Sequence, residues 1–560
     1  MKFRFIILSL ALMTMSGYGY DRVTGEQFAS RSEVIGQHGM VATSHPLATQ
    51  IGIDVLKKGG TAIDAAIAAN IALGLMEPTG SGIGGDLFAI VWDANEQKLF
   101  GLNASGPAPQ SLSLDYFKEQ NLTKIPPFGP LPVTVPGAVD GWVKLHEKFG
   151  NQSFSSLFQP TIDYARKGHP VSETIAYYLD RSKEVFKEYP NFSEVWMKDG
   201  ETAGKGDVFK NPQLADTLEI IAEKGRAGFY EGKVAKTIAD FIQAQGGFLT
   251  YDDLANFNSE WVDPVSANYR GYDVWELPPN GQGVVALQIL NILENFDLKE
   301  MGLFSSEYIH LFTEAKKLAF ADRAKHYADP AFSEIPIKQL ISKSYAKERA
   351  ALIDKDKAAL VDESGIPSGG DTIYLTAADK FGNMVSLIQS NYRGMGSGMV
   401  PPELGFMLQD RGELFSLVEG HANVVEGGKR PFHTIIPAFV TKDGKPFISF
   451  GVMGGATQPQ AHAQIIINLI DFGYNLQEAG DAPRIVHSGS SQPTDEKMLN
   501  GGSLSLEKGF GSQIEEALLE KGHKIKYQKG IFGGYQAIML KDGVYFGASE
   551  SRKDGQASGY

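Results

Sequence analysis

The stretch SGGDTIYLTAADKFGNMVSLIQS, residues Ser368–Ser390, decides how this chain is read. Gly369, Gly370 and Asp371 run straight into Thr372. From there TIYLTAAD-KFG-NMVSLIQS predicts a β-hairpin. A threonine opening a strand is ordinary, because β-branched residues favour strands. The residues before it are less ordinary, since glycines permit the strained backbone that a peptide-cleaving turn needs. Attack by Thr372 Oγ on the carbonyl of Asp371 would sever the chain and make Thr372 a new N-terminus. Its freed α-amine, with a pKa of about 8, could then act as base for its own hydroxyl. A weak nucleophile would be activated without His or Cys.

The surroundings fit that reading. FISFGVMGGATQPQAHAQIIINLI, 447–470, predicts a strand, the pair Gly454-Gly455, then a helix. Backbone N–H groups at such a junction can stabilise a developing oxyanion. Two further hairpins are predicted in AFVTKDGKPFISFGV and YQAIMLKDGVYFGAS, each turning at Asp-Gly. Upstream, SHPLATQIGIDVLKKGG reads as a helix capped by Ser44 and stopped at Gly59-Gly60. TAIDAAIAANIALGLMEP reads as a helix apolar nearly all round, hence buried between layers. LFAIVW and KLFGLN predict a strand pair. The middle, from about Val143 to Leu360, has mostly helical pattern, including an amphipathic helix in EAKKLAFADRAKHYADP. Antiparallel strands faced by buried helices imply a layered α+β fold.

Composition excludes several functions. Charge is −14 and no basic face is evident, which disfavours nucleic acid as a partner. Hydrophobic residues reach 42%, enough for a large core. With no cysteines there is neither a thiol nucleophile nor a disulfide. MKFRFIILSLALMTMSGYGY reads as a secretory signal ending near Gly19, implying a periplasmic or secreted protein, with an N-terminal anchor as the alternative. No later stretch approaches the roughly 20 apolar residues of a membrane span.

Other motifs carry less. GSGIGG, Gly80–Gly85, matches a dinucleotide fingerprint, but a helix precedes it and a strand follows, the reverse of what pyrophosphate binding needs. It reads as a loop where backbones pack closely. SYAK at Ser344 lacks the partner motifs of penicillin-binding proteins. His433 and His462 show no metal-ligand spacing and read as structural. No metal or organic cofactor is implied.

Over nearly its whole length the sequence resembles the γ-glutamyltranspeptidase family of N-terminal nucleophile hydrolases. The likeness lies in HPLATQIGIDVLKKGGTAIDAAIAA, EPTGSGIGGDLF, TVPGAVDGW, YDDLANF, YRGYDVWELPPNGQG, EAKKLAFADR, APRIVH and SRKDGQASGY. The resemblance implies a four-layer αββα fold. It also implies self-cleavage into a large subunit, 20–371, and a small one, 372–560, and transfer of a γ-glutamyl group, as from glutathione, to water or an amino acid. Thr372 matches the catalytic threonine. Ser390 falls where the family has a second threonine supporting it, and Gly454 and Gly455 match the oxyanion glycines.

Elsewhere the chain departs from the family. Ser105 stands where an arginine clamps the substrate's α-carboxylate, Tyr392 replaces an asparagine, and Leu414 replaces the aspartate that holds the α-amine. His433 and Thr434 replace two serines. Serine cannot reproduce a bidentate arginine clamp, and leucine cannot accept from an ammonium. Arg411, in LQDRGELF, is either a substitute cation for a carboxylated acyl group or a surface residue. The pattern resembles the family's cephalosporin-acylase-like branch. Three readings follow: a γ-glutamyl amidohydrolase, an acylase for another small acyl amide such as a glutaryl amide, or a binding protein that keeps the fold without catalysis.

Overall fold

A computed structural model describes residues 23–360 and 371–560. The signal sequence expected over 1–19 and the Gly369-Gly370 link lie outside the described residues.

Two antiparallel seven-stranded sheets stack face to face. The first runs in the order Gln556–Gly559, Met40–Thr43, Asp371–Ala378, Met384–Tyr392, Asp86–Asp93, Lys98–Ala104, Glu260–Val262. The second runs Val34–Gly36, Val544–Ser549, Gly534–Lys541, Lys445–Met453, Ala438–Lys442, Tyr272–Glu276, Val265–Tyr269. Between them Phe88, Tyr374, Ile388, Phe439, Met453 and Ile538 form one apolar layer. Helices Pro46–Lys57, Ala62–Met76 and Ala138–Phe149 bury their apolar faces on the outside of the first sheet. Helices Gly283–Leu293 and Gln458–Ile470 do so on the second, with Ser306–His326 packed against them. The result is the expected αββα sandwich, in which every sheet face is covered.

Local chemistry explains the elements. Thr61 and Asp64 form a reciprocal capping box that starts the buried helix Ala62–Met76. Both Asp-Gly hairpins turn with positive φ at each central residue, 51° and 72° at Asp443-Gly444, and 52° and 77° at Asp542-Gly543. That is the twist a two-residue hairpin needs.

Three expectations need correction. The first helix is capped by the His45 side chain, which accepts from Leu47 N, while Ser44 donates instead to Glu77 Oε2 at 2.5 Å. The middle of the chain is less uniformly helical than its pattern, because Val265–Tyr269 and Tyr272–Glu276 form a hairpin that completes the edge of the second sheet. The helix Ser306–His326 is not amphipathic: Lys316, Lys317, Asp322 and Arg323 are all buried. Polar residues spaced as on a solvated face here bond one another and neighbouring loops.

The glycine run behaves as read. The helix ends at Met76, the strand starts at Asp86, and a Cβ on Gly84 would lie 2.2 Å from the Met407 carbonyl oxygen. Backbone cannot swing aside as a flexible side chain does. Gly84→Ala should therefore lower unfolding stability by about 1–3 kcal/mol, measured by urea unfolding; a change within about 0.5 kcal/mol would show that the contact relaxes freely. Among the described residues no helix is long and apolar enough to cross a membrane.

Candidate active site

The nucleophile candidate lies in the middle of the first sheet. Asp371–Ala378 pairs with Met384–Tyr392 on one side and Met40–Thr43 on the other. The register slips between Asp371, opposite Tyr392, and Ile373, opposite Gln389. Thr372 occupies that irregularity, and a bulge re-aims the side chain it carries. Its Oγ1 donates to Ser390 Oγ at 3.3 Å. The same oxygen accepts from Tyr392 N at 2.8 Å. Ser390 is thus held by its own strand and presents an acceptor to Thr372.

One strand further, Ser390 stands opposite Asp86. Asp86 is fully buried, and its Oδ1 accepts from Gly106 N and Gly137 N, each at 3.2 Å. Its Oδ2 lies 3.1 Å from His433 Nε2. His433 Nδ1 accepts from Ile435 N at 3.3 Å, so the ring proton sits on Nε2 and is donated to Asp86. Burial pushes Asp86 up to about 7, with Arg411 pulling the other way. Burial, then Arg411, push His433 well down, so it is neutral.

Arg411 is completely buried, which overturns the surface reading. Its Nη1 donates to Thr434 Oγ1 at 2.7 Å, and its guanidinium carbon lies 4.9 Å from the centre of the Tyr392 ring. Among the described residues, Nε and Nη2 have no hydrogen-bond partner. Burial lowers its pKa to about 10, opposed by Asp86 and Asp410. It remains a cation.

Ser105 belongs to the same assembly but not as a clamp. Its Oγ donates to Asn103 Oδ1 at 2.7 Å and accepts from Asn280 Nδ2 at 3.2 Å. Asn280 in turn accepts at its carbonyl from His433 N at 2.8 Å. Leu414 is buried and, with Tyr392 and Phe432, lines a neighbouring cavity of about 260 Å³.

On the second sheet, Lys445–Met453 ends at Gly454 and Gly455, with φ of 123° and 55°, before a tight turn leads into helix Gln458–Ile470. Only glycine adopts the first value without strain. Gln282 Nε2 donates to Gly455 O at 2.9 Å and to Thr434 O at 2.6 Å, which ties this junction to the Arg411 side. Gly454 also lines a cavity of about 550 Å³ together with Thr79 and Arg393. Thr79 adjoins Gly80, whose Cβ would sit 3.3 Å from the Thr372 carbonyl oxygen, so this cavity opens beside the Thr372 strand.

Thr372, Ser390, Tyr392, Arg411, His433, Thr434 and Ser105 therefore converge, and Gly455 is linked to them through Gln282. His462 is structural as expected, accepting from Val452 N and paired with Glu276. Ser344 is exposed on a short surface helix. Sequence reasoning missed Asp86, Asn280, Gln282 and Arg323. Asp86 had a signal, a carboxylate directly before the apolar run Leu87–Trp92. Asn280 and Gln282 lay in PPNGQG, where they looked like turn residues.

A buried hydroxyl pair at a bulged strand start, in an αββα sandwich whose second sheet runs into a glycine junction, defines an N-terminal nucleophile hydrolase, an enzyme of amide cleavage and acyl transfer. The sequence pattern of the γ-glutamyltranspeptidase family matches residues 48–560, and the chain belongs to that family. It is 38% identical to the glutathione hydrolase-like YwrD proenzyme of Bacillus subtilis (strain 168), over 94% of this chain and 99% of that one. It is 34% identical to the acylase ACY 1 proenzyme of Pseudomonas sp. (strain SE83), over 93% of each. The crystal structure of cephalosporin acylase from Bacillus halodurans superposes with a TM-score of 0.89 at 42% identity, covering 98% of this chain and 99% of that one.

The raised Asp86 gives a pH signature. Folding lifts its pKa from the ordinary 3.8 to about 7, so the folded protein holds this proton more tightly than the unfolded chain. Stability from this group is full below about pH 4 and is lost as pH rises through about 7. Asp86→Asn should flatten that part of the curve of melting temperature against pH; an unchanged slope would mean Asp86 titrates alike in both states.

Proposed function

We propose that Thr372 is the nucleophile of a self-processing amidohydrolase and acyltransferase, and that the acyl group it accepts carries a carboxylate. The precursor is cut between Asp371 and Thr372, giving a large subunit, 20–371, and a small subunit, 372–560, after export and removal of residues 1–19. The α-amine of Thr372 takes the proton from Oγ, Oγ attacks the amide carbon, and the departing amine collects the proton. Gly454 and Gly455 N–H groups hold the oxyanion, and Ser390 orients the hydroxyl. Water or an amino acid then takes the acyl group from the ester. Tyr392, His433, Thr434 and Ser105 wall the acyl pocket. γ-Glutamyl amides such as glutathione are the leading donors.

The observation that carries this reading is Arg411, fully buried with two donors that find no partner among the described residues. Such donors are costly to leave unmade, and a carboxylate satisfies them. A second reading, an acylase for glutaryl-type acyl groups, is favoured by Leu414, which offers nothing to an α-ammonium. The acylase relatives agree with it.

Donor comparison separates the two. With γ-glutamyl- and glutaryl-p-nitroanilide, Arg411→Gln should lower kcat/KM about 10- to 100-fold for both, the worth of a hydrogen bond to a charged group. A glutaryl donor cleaved as well as the γ-glutamyl one selects the acylase reading. Processed protein that leaves both donors intact contradicts the proposal, as does an Arg411→Gln enzyme with undiminished activity.

A further inference from the structure

Arg323 is fully buried on the long helix Ser306–His326. Among the described residues no carboxylate forms an ion pair with it. Its Nη1 donates to Gln282 Oε1 at 2.6 Å and its Nη2 to Gln492 Oε1 at 2.5 Å. The Phe320 ring stacks 3.8 Å from its guanidinium carbon, closing that face. Burial lowers its pKa, but only to about 9, so the charge stays.

This contact fixes which way Gln282 points. A guanidinium only donates, so the amide oxygen must face it and the amide nitrogen must face away. That nitrogen then bonds two carbonyls at once, Thr434 O and Gly455 O. The first belongs to the residue whose hydroxyl holds Arg411. The second belongs to the glycine junction. Gly455 sits at a φ of 55°, and the donor on its carbonyl stops the adjoining peptide from rotating.

We propose that Arg323 and Gln282 are positioning residues for amide cleavage: Arg323 locks the Gln282 amide, and Gln282 pins Gly455 and Thr434 so that the oxyanion donors and the acyl pocket keep one mutual geometry. The uncompensated cation behind the amide also polarises it toward the side where negative charge develops. The inference rests on the reading of Gly454-Gly455 as the oxyanion junction. It gives a buried glutamine and arginine a share in the barrier.

Gln282→Glu is the test, because its two oxygens keep the shape. One still accepts from Arg323; the other donates to one of the two carbonyls when protonated and to neither when ionised. At pH 8 kcat should fall about 10- to 100-fold, below the 10²–10³ cost of deleting an oxyanion donor outright, with KM within about threefold. The ratio of variant to wild-type kcat should recover severalfold toward pH 5, whereas Gln282→Met, which never donates, should show no recovery. Melting temperature and subunit pattern are checked first; if Gln282→Glu does not accumulate, Arg323→Lys takes its place and should lower kcat with KM unchanged. Undiminished kcat, or a loss that ignores pH in Gln282→Glu, overturns the relay. Gly454→Ala separates the underlying reading: activity kept there retires the oxyanion assignment, whereas activity lost there but kept in Gln282→Glu retires the relay alone.

Discussion

Between Asp371 and Ile373 the central hairpin slips register, and Thr372 falls in the slip. A regular strand would send this side chain into one face of the sheet and tie its backbone into the ladder. The irregularity instead turns the hydroxyl onto Ser390, whose oxygen is already fixed by Tyr392 N. The surrounding layers enclose this point. The strand is central, flanked on both sides, with a sheet stacked on one face and buried helices on the other. A nucleophile placed there has little freedom to lose in the transition state.

Around Arg411 the chain buries several ionisable groups that act on one another, with burial pushing the carboxyls of Asp86 and Asp410 up. Arg411, Asp86 and Asp410 are all fully buried, and His433 is kept neutral between Asp86 and the guanidinium. Each would be costly alone. Together they form a polar patch inside an apolar sandwich, with donors on Arg411 still unused. At the two positions where the family resemblance implies an arginine and an aspartate clamp, this chain has Ser105 and Leu414. Ser105 is instead absorbed into the Asn103 and Asn280 hydrogen bonds that hold the His433 backbone. Under the proposed function, Arg411 carries the recognition that the family resemblance assigns to positions 105 and 414.

Much of this was legible in the sequence, for definite reasons. Hairpins announced themselves because Asp-Gly is one of few pairs that adopt two positive φ values. The helix at Ala62–Met76 was readable because an all-apolar helix has only one place to go. What stayed hidden depends on contacts between distant segments. The strands at Val265–Glu276 owe their state to an edge supplied by Ala438–Lys442, far along the chain. The Ser306–His326 helix looked amphipathic because buried lysines and arginines carry the same letters as solvated ones. Arg411 could not be assigned from its letter either; burial decided it. Gln282 passed for a turn residue because the two carbonyls it bonds, Thr434 O and Gly455 O, lie far along the chain.

The account stands or falls on where the mature protein's second chain begins. Amino-terminal sequencing of the smaller subunit from active enzyme reads that directly. The account predicts Thr-Ile-Tyr-Leu-Thr, starting at Thr372. Active enzyme with the 371–372 peptide bond intact, or a small subunit opening at any other residue, would contradict it.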